Sequence, residues 1–264
     1  MRIVRFALDG RTRFGVLEGE EVYPCEGDPF VGLKPESRAI AGEGLKLLSP
    51  AQPPNVVCIG LNYRRHVEEA RVPLPEAPQI FLKPTTTVCG PEDPILLPIL
   101  EPDKVDYEVE LAIVVGKEAK HVSEEEALDA VLGYTVANDV SARGVQFADA
   151  QWTRGKSFDS FCPLGPCIQT ELDANHVDIM CRVNGRTLQH SNTSDMIWTP
   201  SQLVSFVSRS MTLLPGTVIL TGTPEGVGFP RKPPIFLQEG DVVECEIEGI
   251  GVLRNPVVAE QRGR

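Results

Sequence analysis

Between Asp106 and Val115 the chain reads Asp-Tyr-Glu-Val-Glu-Leu-Ala-Ile-Val-Val. Tyr107, Val109, Leu111, Ile113 and Val115 share one parity, the period of a β-strand with an apolar face. The other parity carries Asp106, Glu108 and Glu110 before it turns apolar at Ala112 and Val114. Residues two apart in a strand project to the same side, about 7 Å from one another. Glu108 and Glu110 therefore leave the strand together. Either this is an edge strand whose acidic positions face water, or two like charges share the interior and need a cation or a shared proton.

Similar patterning recurs along the chain. Arg2–Leu8 and residues 13–17 flank Asp9-Gly10, a hairpin-turn dipeptide. Residues 132–136 and Val218–Leu220 are short apolar runs, and Val242–Ile247 alternates as a half-exposed strand. Two segments carry helix signals. Ser123 with Glu126 three residues on is a capping box, predicting a helix to about Gly133. Thr199-Pro200-Ser201-Gln202 places a cap before a proline at the first helical position, predicting a helix to about Met211. Residues 62–69 form a further short helical stretch, closed by Pro73 and Pro75. The pattern predicts a mainly β (α+β) chain with a few short helices. A small β-rich N-terminal domain covers 1–52, and after the prolines at 50, 53 and 54 the main domain covers 53–264.

Composition narrows the classes of function. A formal charge of -12, with no basic cluster or aromatic stripe to offset it, argues against nucleic-acid binding. The longest apolar runs are far short of a bilayer span, and the start of the chain carries no signal-peptide pattern. Seven cysteines with no C-x-x-C pair read as reduced thiols of a cytoplasmic protein, not as a disulfide framework or a zinc site. No glycine-rich dinucleotide or P-loop motif is present, so a nucleotide cofactor is not expected.

The chemistry gathers at a few positions. His66 and Glu69 stand i, i+3 on one helical face, where a carboxylate can fix the imidazole tautomer and make it a general base. The plainer reading is a surface helix with an incidental histidine. Asp139 follows the apolar run 132–136 and is either a turn cap or, with Glu108 and Glu110, the third member of an all-oxygen set suited to Mg²⁺, Mn²⁺ or Ca²⁺. Lys156 is either solvated or placed to neutralise negative charge beside such a metal. Thr221-Gly222-Thr223-Pro224, after Val218–Leu220, is a turn or a loop presenting a hydroxyl and N–H groups to an anion.

Six segments in order make the set recognisable: Gly60-Leu61-Asn62-Tyr63 with His66, Phe81-Leu82-Lys83-Pro84, Tyr107-Glu108-Val109-Glu110-Leu111, Asp139-Val140-Ser141-Ala142-Arg143, Gly155-Lys156-Ser157-Phe158-Asp159 and Thr221-Gly222-Thr223-Pro224-Glu225-Gly226-Val227-Gly228. From Pro54 onward the chain resembles the fumarylacetoacetate hydrolase family. Residues 158–166 and Arg231-Lys232-Pro233-Pro234 are similar to the subgroup called fumarylacetoacetate hydrolase domain-containing protein 2. One departure is Gly144, where the family often has an acidic residue after Ser-Ala-Arg.

The resemblance implies a mixed β-sandwich roll, a homodimer, and Mg²⁺ or Mn²⁺ held by Glu108, Glu110 and Asp139. It implies a small 2-oxo or 2,4-dioxo acid as substrate, with His66, Glu69 and Lys156 catalytic and Lys83, Arg143, Gln146 and Thr223 in contact with substrate. The first expectation is hydrolysis of a C–C bond in an acylpyruvate-like acid through an enolate that the metal stabilises. The alternatives are an oxaloacetate tautomerase, a 2-hydroxyhepta-2,4-diene-1,7-dioate-type isomerase, a β-keto acid decarboxylase or, remotely, a non-catalytic binding protein stabilised by metal.

Overall fold

The computed structural model describes residues 1–261. The N-terminal alternation folds as a meander of β1 (Arg2–Leu8), β2 (Arg11–Glu18) and β3 (Glu21–Asp28). There follow β4 (Val56–Gly60), β5 (Gln79–Lys83), β6 (Val109–Val115), β7 (Val131–Asn138) and β8 (Cys162–Gln169). The chain ends with β9 (Asp178–Val183), β10 (Arg186–Asn192), β11 (Val218–Leu220), β12 (Val242–Ile247) and β13 (Gly251–Ala259). Among the described residues three short α-helices interrupt them: α1 (Arg64–Ala70), α2 (Arg143–Ala148) and α3 (Pro200–Ser210).

The strands form two main curled sheets. One runs β3-β2-β1-β8-β7-β6-β11-β4-β5, antiparallel throughout except where β11 meets β4. The other runs β13-β12-β9-β10, with Ile95–Leu97 parallel to β13 at its edge. The pairing Arg2↔Gln169 and Ile3↔Ile168 joins the N-terminal meander to the large sheet. This is the mixed β roll with few helices that the resemblance implies.

Strand β6 sits in the middle of the large sheet. Ladders on both sides, Leu111↔Val136 to β7 and Ala112↔Leu220 to β11, satisfy its backbone. Its odd-numbered residues from Val109 to Val115 join Ile179, Cys245 and Leu253 of the second sheet in one core cluster. Ala112 and Val114 pack on the opposite face with Ile3, Leu164 and Val218. A fully buried side chain such as Leu111 contributes about 1.5–3 kcal/mol. The edge-strand reading of the acidic positions is therefore incorrect: both faces and both edges of β6 are covered.

The helix expected over 123–133 does not form. Ser123 Oγ does accept from the Glu126 N–H, at 3.3 Å, but only a 3-10 turn over Ala127–Ala130 follows. From Val131 the chain enters the ladder beside β6, and a strand with a partner on each side outcompetes a short helix. By contrast α3 forms where expected. Thr199 and Gln202 complete both halves of its capping box.

Candidate active site

The β6–β7 register assembles the acidic cluster. Glu110 pairs with Ala137 and Val109 with Asn138, and the Asp139 N–H continues the ladder to the Glu108 carbonyl at 2.8 Å. Asp139 thus emerges beside Glu108, while Glu110 projects from the same strand two residues on. Oxygens of Glu108, Glu110 and Asp139 lie within 4.8 Å of one another, and all three residues are buried. On the other flank, the loop after β11 runs along β6. Thr221 N–H reaches the Leu111 carbonyl at 3.0 Å, Gly222 N–H donates to Glu110 at 2.7 Å, and the Thr223 hydroxyl donates to the Val109 carbonyl at 2.9 Å. Gly222 needs its φ of +97°, and a Cβ there would also meet the Asn62 Cβ at 2.8 Å.

Three cations face the acidic cluster. Lys156 Nζ lies 2.6 Å from both Glu108 and Asp139. Lys83 pairs with Asp139 and donates to the Val140 carbonyl at 3.3 Å. Arg143 reaches Asp106 through Nε at 2.8 Å, Glu108 through a terminal nitrogen at 2.6 Å, and Gln146 at 2.9 Å. Burial pushes the Glu108 carboxyl up, but Lys156 and then Arg143 outweigh it and hold it down at about 2. Glu110 goes the other way. Burial, then the neighbouring Asp139 and Glu108, drive its carboxyl well above the usual carboxylate range. Burial alone would lower the Lys156 ammonium, but Asp139 and Glu108 raise it instead.

The charge count tests whether a metal fits. Four buried carboxylates (Asp106, Glu108, Glu110, Asp139) face three buried cations (Lys83, Lys156, Arg143). Among the described residues Glu110 meets no cation and has only the Gly222 N–H. A buried carboxyl with no counter-charge, whose ionised form a cation would restore, fits a hard divalent ion inside this all-oxygen set. The three carboxylates can hold one.

Helix α1 brings in the histidine. His66 Nδ1 lies 3.1 Å from Glu69, whose carboxylate also accepts the Gly226 N–H at 3.1 Å. An ionised carboxylate can only accept, so Nδ1 carries the proton and Nε2 is left as the free basic nitrogen. A cavity of about 230 Å³ joins His66, Glu108, Glu110, Asp139, Gln146, Lys156 and Thr223. Glu69, Lys83 and Arg143 do not line it. Glu69 stands behind His66, and Lys83 and Arg143 stand behind the carboxylates, although Lys83 and Arg143 were expected at the substrate. Thr223 lines the cavity with its hydroxyl already engaged by Val109 and by the Gln189 amide at 2.9 Å.

Some participants escaped the sequence reading. Asp106 shares the parity of Glu108, yet no role was read for it. It is fully buried and accepts from Arg143, from Gly228 N–H at 2.8 Å and from Phe229 N–H at 3.0 Å. Gln189, on β10, ties Val109 N–H at 3.0 Å to Thr223, and nothing in its local sequence signals this. The Gly144 departure has a steric counterpart, since a side chain there would fall on the carboxylate of Glu101.

Comparison with known proteins gives the family. Residues 55–258 match the family model described as fumarylacetoacetate (FAA) hydrolase, C-terminal, and residues 1–50 match one described as Rv2993c-like, N-terminal. The chain belongs to the fumarylacetoacetate hydrolase family. It is 48% identical over 235 residues to a fumarylacetoacetate hydrolase domain-containing protein 2 homolog of Dictyostelium discoideum, covering 84% of this chain and 77% of that one. It is 47% identical to the mitochondrial oxaloacetate tautomerase fahd2 of Xenopus laevis, covering 86% and 72%. Among solved structures, the 5-carboxymethyl-2-hydroxymuconate delta-isomerase of Mycobacterium smegmatis superposes with a TM-score of 0.89 at 44% identity, over 98% of this chain and 100% of that one. Members of this family are enzymes acting on small molecules, and relatives of this chain are tautomerases and isomerases. No helix among the described residues is long and apolar enough to cross a membrane.

Proposed function

We propose that this chain is a Mg²⁺- or Mn²⁺-dependent keto–enol tautomerase or isomerase of small 2-oxo acids. The observation that carries the reading is the position of His66. Its Nε2 has no hydrogen-bond partner among the described residues, its tautomer is fixed by Glu69, and it shares one cavity with the carboxylate set and Lys156. A divalent ion held by Glu108, Glu110 and Asp139 would supply Lewis-acid stabilisation of negative charge on the 2-oxo oxygen.

The protein's own groups account for the proton traffic. His66 Nε2 takes a proton from C3 of the keto acid, and Glu69 stabilises the imidazolium through the Nδ1–H bond. The Lys156 ammonium, kept charged by its carboxylate neighbours, delivers a proton to the 2-oxo oxygen. A C–H bond breaks and an O–H bond forms; water then takes the proton from the His66 imidazolium and returns one to the Lys156 amine, with no redox change. The reverse sequence ketonises an enol. The Gln146 carbonyl is held by Arg143, which leaves its amide N–H groups to donate to a substrate oxygen. Lys83 and Arg143, expected at the substrate, are assigned here to holding Asp139, Asp106 and Glu108 in place.

A second reading is hydrolysis of a C–C bond in an acylpyruvate-type 2,4-dioxo acid. The same His66–Glu69 pair favours it, because a fixed general base can activate water. The names of the relatives support the tautomerase instead. The proposal also includes a homodimer in the cytoplasm, supported there by seven unpaired thiols. It divides the chain into an N-terminal domain over 1–52 and a catalytic domain over 53–264.

The deciding experiment uses metal-stripped protein with Mg²⁺ restored, as wild type and His66→Ala. Loss of oxaloacetate enol absorbance that needs Mg²⁺ and falls 10²–10⁴-fold in His66→Ala supports tautomerisation. Pyruvate release from an acylpyruvate without enol turnover would overturn it in favour of the hydrolase.

A further inference from the structure

The residue between Glu108 and Glu110 is held by side chains where a strand neighbour is missing. In an antiparallel ladder the N–H and C=O of one residue point to the same neighbour. At Leu111 that neighbour is the chain just past β11, where Thr221 N–H meets the Leu111 carbonyl at 3.0 Å. Continuing the register of Ala112↔Leu220 places Thr223 opposite Val109. The backbone turns at Gly222, with its φ of +97°, before the ladder gets there. Both polar groups of Val109 on that side are taken by side chains instead.

One of those side chains comes from the other sheet. Gln189 lies on β10 and is only 1% exposed. Its Oε1 accepts the Val109 N–H at 3.0 Å. Its Nε2 donates to the Thr223 hydroxyl and to the Pro224 carbonyl, both at 2.9 Å. The Thr223 hydroxyl in turn donates to the Val109 carbonyl and closes a ring. A carbonyl only accepts and a backbone N–H only donates, so Val109 and Pro224 demand the same orientation of the amide. Every hydrogen bond of the Gln189 side chain among the described residues therefore reaches a segment of the site, and none serves its own sheet. The next peptide is held in the same way: Glu108 N–H donates to Oδ1 of the buried Asn138 at 3.0 Å. Two side-chain amides thus fix consecutive N–H groups in the stretch that carries two of the three carboxylates. Groups behind a metal's ligands fix their orientation, and losing one costs affinity even though it never meets the ion.

We propose that Gln189 is a positioning residue of the metal site. Its amide, with the Thr223 hydroxyl, fixes the peptide between Glu108 and Glu110 and so sets how far apart those two carboxylates stand. The second sheet acts on the site through this one side chain without touching a ligand. This rests on the metal reading of the carboxylate set and not on which reaction follows.

The test is a calorimetric titration of metal-free wild type, Gln189→Met and Val257→Ala with Mg²⁺. Met is close to the length of Gln and loses all three of its hydrogen bonds. Val257 is a core residue that does not line the cavity, and its truncation controls for lost stability. The expected result is a Kd raised at least tenfold in Gln189→Met and less than twofold in Val257→Ala. An unchanged Kd in Gln189→Met, whatever its melting temperature, overturns the proposal. An equal rise in Val257→Ala also overturns it, because general loosening then accounts for both. If Gln189→Met does not fold, Gln189→Asn takes its place. That side chain is neutral and one methylene shorter, so it cannot serve Val109 and Thr223 together; a Kd raised at least threefold supports the proposal and a smaller change overturns it. A wild type that binds neither Mg²⁺ nor Mn²⁺ refutes the metal reading itself, and the proposal with it.

Discussion

Replacing Arg143 with methionine separates two roles for that residue. Met preserves much of the apolar stem but leaves Asp106 and Glu108 without the guanidinium that both of them contact. Removing one partner of a buried charge pair costs about 3–5 kcal/mol, because the remaining charge stays buried. Compensation exists on both sides. Asp106 keeps the N–H groups of Tyr107, Gly228 and Phe229 at 2.8–3.0 Å, and Glu108 keeps Lys156. The loss should therefore fall at the low end, about 3 kcal/mol. For a chain of this size each kcal/mol moves the midpoint by about 2–4 °C, so Tm should drop by about 6–12 °C. Calorimetric melts in chelator keep metal out of the comparison. Arg143→Lys should recover only part of the loss, since a point charge cannot reach three partners as the planar fork does. Adding Asp106→Asn to Arg143→Met should recover about 1–2 kcal/mol, the size of coupling found between contacting residues. A Tm drop of less than about 2 °C in Arg143→Met, accompanied by a large rise in KM, would refute the structural role and return Arg143 to the substrate.

Two further outcomes follow from the carboxylate cluster. Glu110→Gln removes the one carboxylate that meets no cation, so its Tm in chelator should equal or exceed that of wild type. Saturating Mg²⁺, at about 100 times its Kd, should add about 2.7 kcal/mol to wild type and nothing comparable to Glu110→Gln; equal Mg²⁺ shifts in both proteins would remove Glu110 from the ligand set. Gly222→Ala should cost about 1–3 kcal/mol through its positive φ and should weaken Mg²⁺ binding, because the Gly222 N–H holds Glu110. Unchanged melting and unchanged Mg²⁺ affinity would contradict that.

Much of this protein is written locally. The alternation from Tyr107 to Val115 is enough to specify a strand, because side chains in extended backbone alternate whatever lies nearby. The Asp9-Gly10 hairpin and the Thr199–Gln202 capping box are equally local, since their partners lie within a few residues. His66 and Glu69 are legible for the same reason: three residues on a helix bring them within 3.1 Å. The spaced motifs also sufficed for the family, although not for the reaction.

What the sequence could not decide depends on contacts between distant segments. Whether Glu108 and Glu110 face bulk water or a cavity is fixed by the end of β7 and the loop after β11, which bring Asp139 and Gly222 against them. The 123–133 segment carries a real capping signal, and the ladder beside β6 overrides it. The family resemblance implies Lys83 and Arg143 as substrate contacts, and their local sequence does not show which carboxylates they meet. Folding pairs them with Asp139, Asp106 and Glu108, where each carboxylate is tolerable because its counter-charge is buried with it. The rings that line the cavity, Phe81, Phe147, Trp152 and Phe229, likewise come from separate segments of the chain. Local periodicity determines which way a side chain leaves the backbone, and tertiary packing determines whether it meets water, an ion or a ring.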